Sequence, residues 1–423
     1  MRNNIVCKTF VVKISGCCNI ACSYCYMFRG GDTSYKDKPK YMSLDIAKQT
    51  IKRAKEHCKK NDIPTFNFVL HGGEPLLAGR TFIEEFINFA KEEFSNTKTN
   101  LVIGLQTNGT LINDDWCNFF VKNKINLGIS IDGIKEDNDK YRIDRKGHGT
   151  FDRIVSGINL CHNYNLKPGL LSVINVNSDP IKVYNLYKSL NVEAADILFL
   201  EANYDKLPPK AIKGEFINSA TPYGDWFIKF FDLWYNDPYN FYNRHFSQYI
   251  KSILGAEING DDMGNSPNGI LTIETNGNYE SEDALRICGN NFTKTEVNVE
   301  KNSIEDAFNT KLANIYYFSH CNLSQTCLAC PIKETCGGGY LPHRYSSQNG
   351  FNNPSIYCKD LLKLITHIQN VIIDDLPKLN VENLKLDKIT YQNALDTINK
   401  TEFSIHEKEY HKDLENFSTN EIK

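Results

Sequence analysis

FVVKISGCCNIACSYCY, residues 10–26, runs from an apolar stretch straight into a loop holding four cysteines. FVVKIS (10–15) reads as a strand, and Cys18, Cys22 and Cys25 behind it form C-x3-C-x2-C. Such short spacings let one loop wrap several thiolates around a single inorganic core, and a 4Fe-4S cube normally takes four of them. Three ligands leave one iron open. A closed zinc site completed by a fourth ligand, such as Cys17, is the competing reading. Cys17 is poorly placed for that, because adjacent side chains in an extended segment point to opposite faces. It is expected to pack instead.

Outward from this loop the chain alternates. Ser43 is the expected N-cap of a helix with Leu44, Ala47, Ile51 and Ala54 at helical spacing. The pattern then repeats: TFNFVL with a helix from Thr81, NLVIGLQT with a helix after Asn113, INLGISI with a helix from Phe151, LLSVINV with a helix after Asp179, and ADILFL with an aromatic helix from Tyr223. Strands alternating with crossover helices imply a parallel α/β sheet, either doubly wound or an incomplete barrel. In both, chemistry sits at the carboxyl ends of the strands. There lie CCNIACSYCY, HGGEP, QTNGT and SIDG, behind the first four strands in turn.

The chain has 423 residues, 41% of them hydrophobic, enough for a core that needs no disulfide staples. It opens without a secretory signal and has no apolar run long enough to span a bilayer, so a cytoplasmic location with reduced thiols is expected. Fourteen cysteines there suggest metal or redox chemistry, although Cys58, Cys117 and Cys161 fall singly on helical patterns and read as buried hydrophobes. A net charge of -3 carries no footprint for nucleic acid or an anionic membrane.

C-x3-C-x2-C followed by Tyr26, behind the first strand, with GGEP behind the second, resembles the radical SAM superfamily, whose fold is a partial (β/α)6 TIM-like barrel. The resemblance implies that the open iron chelates S-adenosylmethionine and that its reductive cleavage yields a hydrogen-abstracting deoxyadenosyl radical. It implies cofactor-binding roles for Tyr26, Gly72, Gly73 and Glu74, with Glu74 meeting the methionine amino group. In peptide-modifying members it implies Ser130 at the ribose and Arg142 at the carboxylate, where a planar guanidinium pairs bidentately. His71 is left as structural.

In the second half, Asn276-Gly277 marks a hairpin. Cys327, Cys330, Cys336 and Cys358 then spell C-x2-C-x5-C with a distant fourth cysteine, for which zinc is again the rival. Following such a barrel they resemble a SPASM domain, which implies an auxiliary 4Fe-4S cluster. Two departures stand out: Glu282 and Tyr340 occupy positions where that motif has cysteines. A further cluster is thus expected to be absent or rebuilt, with Cys288 and Cys321 as possible further ligands. Asp283 matches an acid of sulfatase-maturing relatives and is a possible base; an exposed turn acid is the alternative.

The expected domains are a barrel over 5–238, a helical bridge over 239–264, a SPASM-like Cys-rich α+β domain over 265–365, and a C-terminal helix and tail over 366–423. Leu361, Leu362, Ile365, Ile368 and Ile372 form an apolar stripe expected to pack on the body, and the last twenty or so residues read as poorly ordered. The run CGGGYLPHRYS resembles maturases of ribosomally made peptides that form carbon-carbon cyclophane crosslinks by β-hydrogen abstraction. Thioether formation and formylglycine formation in a sulfatase are the rivals, and a non-catalytic iron-sulfur electron-transfer or metal-binding protein is the reading from another class. The implied partners are a precursor peptide, S-adenosylmethionine and an electron donor such as flavodoxin or ferredoxin, with no nucleic acid and no membrane.

Overall fold

A computed structural model describes residues 5–209, 220–258, 260–376 and 386–418. Two compact units divide the chain: Met1–Asn175, Leu186–Phe199 and Gly269–Asn314 make the first, and Val176–Asn185, Leu200–Asn268 and Ile315–Lys423 the second.

The first unit is built on a sheet of β1 (Thr9–Ser15), β2 (Thr65–Gly72), β3 (Asn100–Thr107), β4 (Asn126–Ser130), β5 (Gly169–Val173), β6 (Ala194–Leu198), β7 (Ile270–Ile273) and β8 (Tyr279–Glu280). Their order is β6-β5-β4-β3-β2-β1-β7-β8, and β1 to β6 are parallel neighbours in chain order. This is the expected α/β partial barrel. The helices follow the sequence periods closely: Leu44–Lys60 is capped by Ser43, whose side chain accepts from Ile46 N, and Asp114–Asn123 by Asn113, accepting from Trp116 N. Phe10, Phe66 and Phe68 are fully buried with edge-on ring contacts between Phe10 and each of the other two. Cys58, Cys117 and Cys161 are buried, as expected.

The hairpin at Gly277 forms, with Thr272 opposite Glu280. It does not stand apart, because β7 pairs in parallel with β1 and so extends the barrel sheet. Sequence periodicity carries no sign of that pairing, since register between distant strands is set by packing.

Backbone contact joins the ends of β1 and β2. Gly73 N donates to Ser15 O at 2.7 Å and Glu74 N to Cys17 O at 2.8 Å. A Cβ on Gly73 would lie 2.3 Å from Cys17 O, and one on Gly72 2.2 Å from Ser15 O, so only glycine lets the chains approach this far.

In the second unit the helix Cys358–Asp375 packs on Pro222–Asn236, with the whole stripe from Leu361 to Ile372 buried. The end of the chain is more regular than its polarity suggests: Glu409–Glu415 is a helix with His411 and Leu414 buried, and only 419–423 of that stretch lie outside the described residues. His411 Nε2 lies 2.9 Å from Leu323 O, a tertiary partner that composition does not reveal. Among the described residues no helix is long and apolar enough to cross a membrane.

Two outcomes test this packing. Gly73→Ala overpacks the loop and lowers the unfolding free energy by about 1–3 kcal/mol in urea denaturation, with faster amide exchange across residues 16–25. The second concerns Glu305, which faces His57 Nδ1 and Lys60, each at 3.1 Å. Burial pushes its carboxyl up, but its own backbone N–H, Lys60 and His57 outweigh that and hold it down to about 2. The stabilisation is therefore present above the unfolded carboxyl range and lost as pH falls through about 2. Between pH 5 and 2 the wild type loses about 1–2 kcal/mol more than Glu305→Gln, read by chemical denaturation at each pH.

Candidate active site

The loop carrying Cys18, Cys22 and Cys25 has little regular structure of its own and is pinned from outside. Ala21 N donates to Ile143 O at 2.7 Å, Ser23 N to Tyr141 O at 2.9 Å, and Arg145 donates twice to Cys18 O. The segment DKYRIDRKGHGT thus holds the cysteine loop as well as supplying Arg142. The three thiols are half-buried. Burial pushes Cys18 up to about 12 and Cys22 up to about 11, with neighbouring thiols adding to both. Such thiols become ligands when a cationic core displaces their protons, which suits an iron-sulfur cluster. Cys17 is also half-buried and does not enter the core; its sulfur lies 3.6 Å from both Ser15 Oγ and Tyr41 OH.

Glu74 is fully buried, accepting from Thr107 Oγ1 at 2.7 Å, Leu76 N at 3.1 Å and Asn108 N at 2.8 Å. Burial still pushes its carboxyl up. Ser130 Oγ accepts from Gln106 Nε2 at 2.9 Å, which adds Gln106 to the group. Arg142 Nη1 donates to Tyr24 OH at 2.8 Å and lies 3.6 Å from Asp132, to which Tyr24 also donates. Burial works against the Arg142 cation, but Tyr24 and Asp132 outweigh it. Its buried Nε has no hydrogen-bond partner. A donor left so costs about 1–3 kcal/mol, which a ligand carboxylate would relieve. Tyr24 and Asp132 lie inside CSYCY and SIDG, yet their pairing depends on the fold.

Tyr26 begins a short helix and its OH donates to Asp283 Oδ2 at 2.7 Å. Asp283 is 5% exposed, so it is not a surface turn acid. Lys13 Nζ ion-pairs with the same oxygen and lies 2.9 Å from His71 Nδ1, drawing in a histidine expected to be structural. A lysine inside FVVKIS was the available sequence signal for this. Glu282, at the site of a missing cysteine, caps the helix Asp283–Cys288 by accepting from Ala284 N. That helix is fixed by Arg286, which donates to Glu274 at 2.6 Å and Glu280 at 2.8 Å and reaches Asp32 at 3.2 Å.

In the second unit Cys327, Cys330, Cys336 and Cys358 line one cavity with Ile332, Leu362 and Ile398. Among the described residues no three His, Cys, Asp or Glu side chains converge closely enough for a single metal ion. Four thiols around a mostly apolar cavity are a donor set that could hold an iron-sulfur cluster. Burial raises all four thiols, and neighbouring thiols add to it at Cys330, Cys336 and Cys358. Positive φ at Gly337, Gly338 and Gly339 carries the chain past Cys336. Arg344, which the sequence did not flag, is fully buried there, donating to Ser319 O and Asn322 O while its charge lowers Cys327. Cys288, in the first unit, is half-buried; Cys321, in the second, is exposed and lies 3.9 Å from Asn265 O.

Residues 12–179 match the model of the Radical SAM superfamily. A Cysteine-type anaerobic sulfatase-maturating enzyme of Clostridium novyi (strain NT) is 27% identical over 81% of this chain and 90% of its own. A Serine-type anaerobic sulfatase-maturating enzyme of Bacteroides thetaiotaomicron is 26% identical over 85% of this chain and 88% of its own. Among solved structures, native anSMEcpe with bound AdoMet shares the fold, with a TM-score of 0.75, 22% identity, and coverage of 88% of this chain and 100% of that one. Residues 12–179 therefore carry a radical SAM domain, and the protein is an enzyme.

Proposed function

We propose that this enzyme is a peptide maturase that removes a hydrogen atom, a proton and an electron from a side chain of its substrate. The likeness to sulfatase-maturating enzymes along nine-tenths of a relative's length carries this reading. It favours oxidation of a serine to an aldehyde, or of a cysteine to a thioaldehyde that water hydrolyses to the aldehyde with release of sulfide, an alternative in the sequence reading, over the cyclophane crosslink expected first. Cyclophane formation is kept as the second reading, on the run CGGGYLPHRYS.

When bound, the cluster and S-adenosylmethionine supply a radical that abstracts hydrogen. Cys18, Cys22 and Cys25 hold the cluster, and Gly72 and Gly73 keep the backbone close beside their loop. Glu74 and the orphaned Nε of Arg142 suit the amino and carboxylate groups of the methionine moiety, while Ser130 and Gln106 offer polar groups to the ribose. Asp283, buried and paired with Lys13, takes the proton. Cys327, Cys330, Cys336 and Cys358 would hold an auxiliary 4Fe-4S cluster, which when bound would supply a one-electron acceptor.

The test uses anaerobic, iron-reconstituted enzyme with S-adenosylmethionine, dithionite and three synthetic peptides. One carries a central cysteine, one a central serine, and one an aromatic residue with an aliphatic residue two positions on. Mass spectrometry is expected to find an aldehyde in the first or second, matched by 5'-deoxyadenosine. A crosslink in the third instead moves the assignment to cyclophane formation, and deoxyadenosine without any peptide change overturns the maturase reading.

A further inference from the structure

Lys13 is the only charged residue of β1 and is completely buried. An apolar residue would suit that position better, since an ammonium taken out of water costs several kcal/mol unless it is well paired. Its partners come from three separate parts of the first unit. His71 stands directly opposite it in the β1–β2 register, with 2.9 Å between Nζ and Nδ1. Tyr26 OH lies 3.3 Å away, and Asp283, beyond the hairpin, completes the set as an ion pair. Tyr26 donates to the Asp283 oxygen that Lys13 holds, so both groups fix one carboxylate oxygen.

We propose that Lys13 is the positioning residue of the proton-accepting site: it keeps Asp283 ionised and aimed, and His71 fixes the ammonium by accepting from it. This rests on the maturase reading above. In that reaction one hydrogen leaves the substrate carbon as an atom and forms a C–H bond on the deoxyadenosyl carbon. The oxidised side chain then loses an electron to an auxiliary iron-sulfur cluster, and its remaining labile proton forms an O–H bond on Asp283. A carboxyl buried as deeply as this one would protonate for want of solvation were no cation beside it, and a protonated acid accepts nothing. The neighbouring groups agree with this arrangement. Burial pulls Lys13 down only to about 8, and burial with the Lys13 charge pulls His71 well below its ordinary range, so His71 is the neutral acceptor and Lys13 the donor between them.

The test is the ratio of modified peptide to 5'-deoxyadenosine in reconstituted full-length enzyme, using the peptide probe that the wild type converts. Lys13→Met is expected to lower the ratio about 100-fold, the scale of a lost general base, and Lys13→Arg, which keeps the cation, to regain most of it. A purely structural lysine would change protein yield and melting but not this ratio. A wild-type ratio in Lys13→Met overturns the assignment alone. No product from the wild type with any probe overturns the maturase reading and the assignment with it. If Lys13→Met does not fold, Lys13→Gln is read in its place. Melting temperatures of Lys13→Met, Asp283→Asn and the double variant, taken without cofactors, are expected to be non-additive, and additive shifts count against the pairing.

Discussion

Close backbone approach between Gly73 and Cys17 is the constraint on which the candidate site depends. The loop after β1 satisfies few of its own hydrogen bonds, so it borrows them from the turn after β2 and from residues 141–143. With a side chain at residue 73 that contact is lost, since the obstacle is main chain and cannot rotate away. The Gly-Gly pair of HGGEP therefore belongs as much to the cysteine loop as to its own strand, and Glu74 is carried into the interior with it.

A second constraint is electrostatic. Arg286 and Lys38 are buried with Asp32, Glu274 and Glu280, two cations against three carboxylates. Removing one member of such a set leaves a charge without compensation, which costs about 3–5 kcal/mol. The network joins the segment after the cysteine loop to the hairpin and to the short helix behind it. In this way Asp283 comes to share a pocket with Tyr26 although 257 positions separate them. Glu282 caps the short helix that Arg286 anchors, so this part of the unit is held by ion pairs and hydrogen bonds among its own residues.

The two cysteine groups differ in how they are built. Cys18, Cys22 and Cys25 ride on an externally pinned loop, whereas Cys327, Cys330, Cys336 and Cys358 come from helix ends and a triple-glycine turn around an apolar cavity. Thiols drawn from several helix termini enclose their cavity, in keeping with a closed set of ligands.

By itself the sequence determined whatever depends on local period and spacing. The six strand-helix units, the caps at Ser43 and Asn113 and the hairpin at Gly277 were legible, because each follows from residues within a few turns of one another. Tertiary structure alone decided the rest. It set β7 against β1, turned Arg142 toward Tyr24 and Asp132, and converted a lysine in an apolar strand and an unassigned His71 into partners of Asp283. The reason is physical: a buried charge is tolerable only when its partner arrives from elsewhere in the chain, and which partner arrives is settled by strand register and packing, which local spacing does not encode.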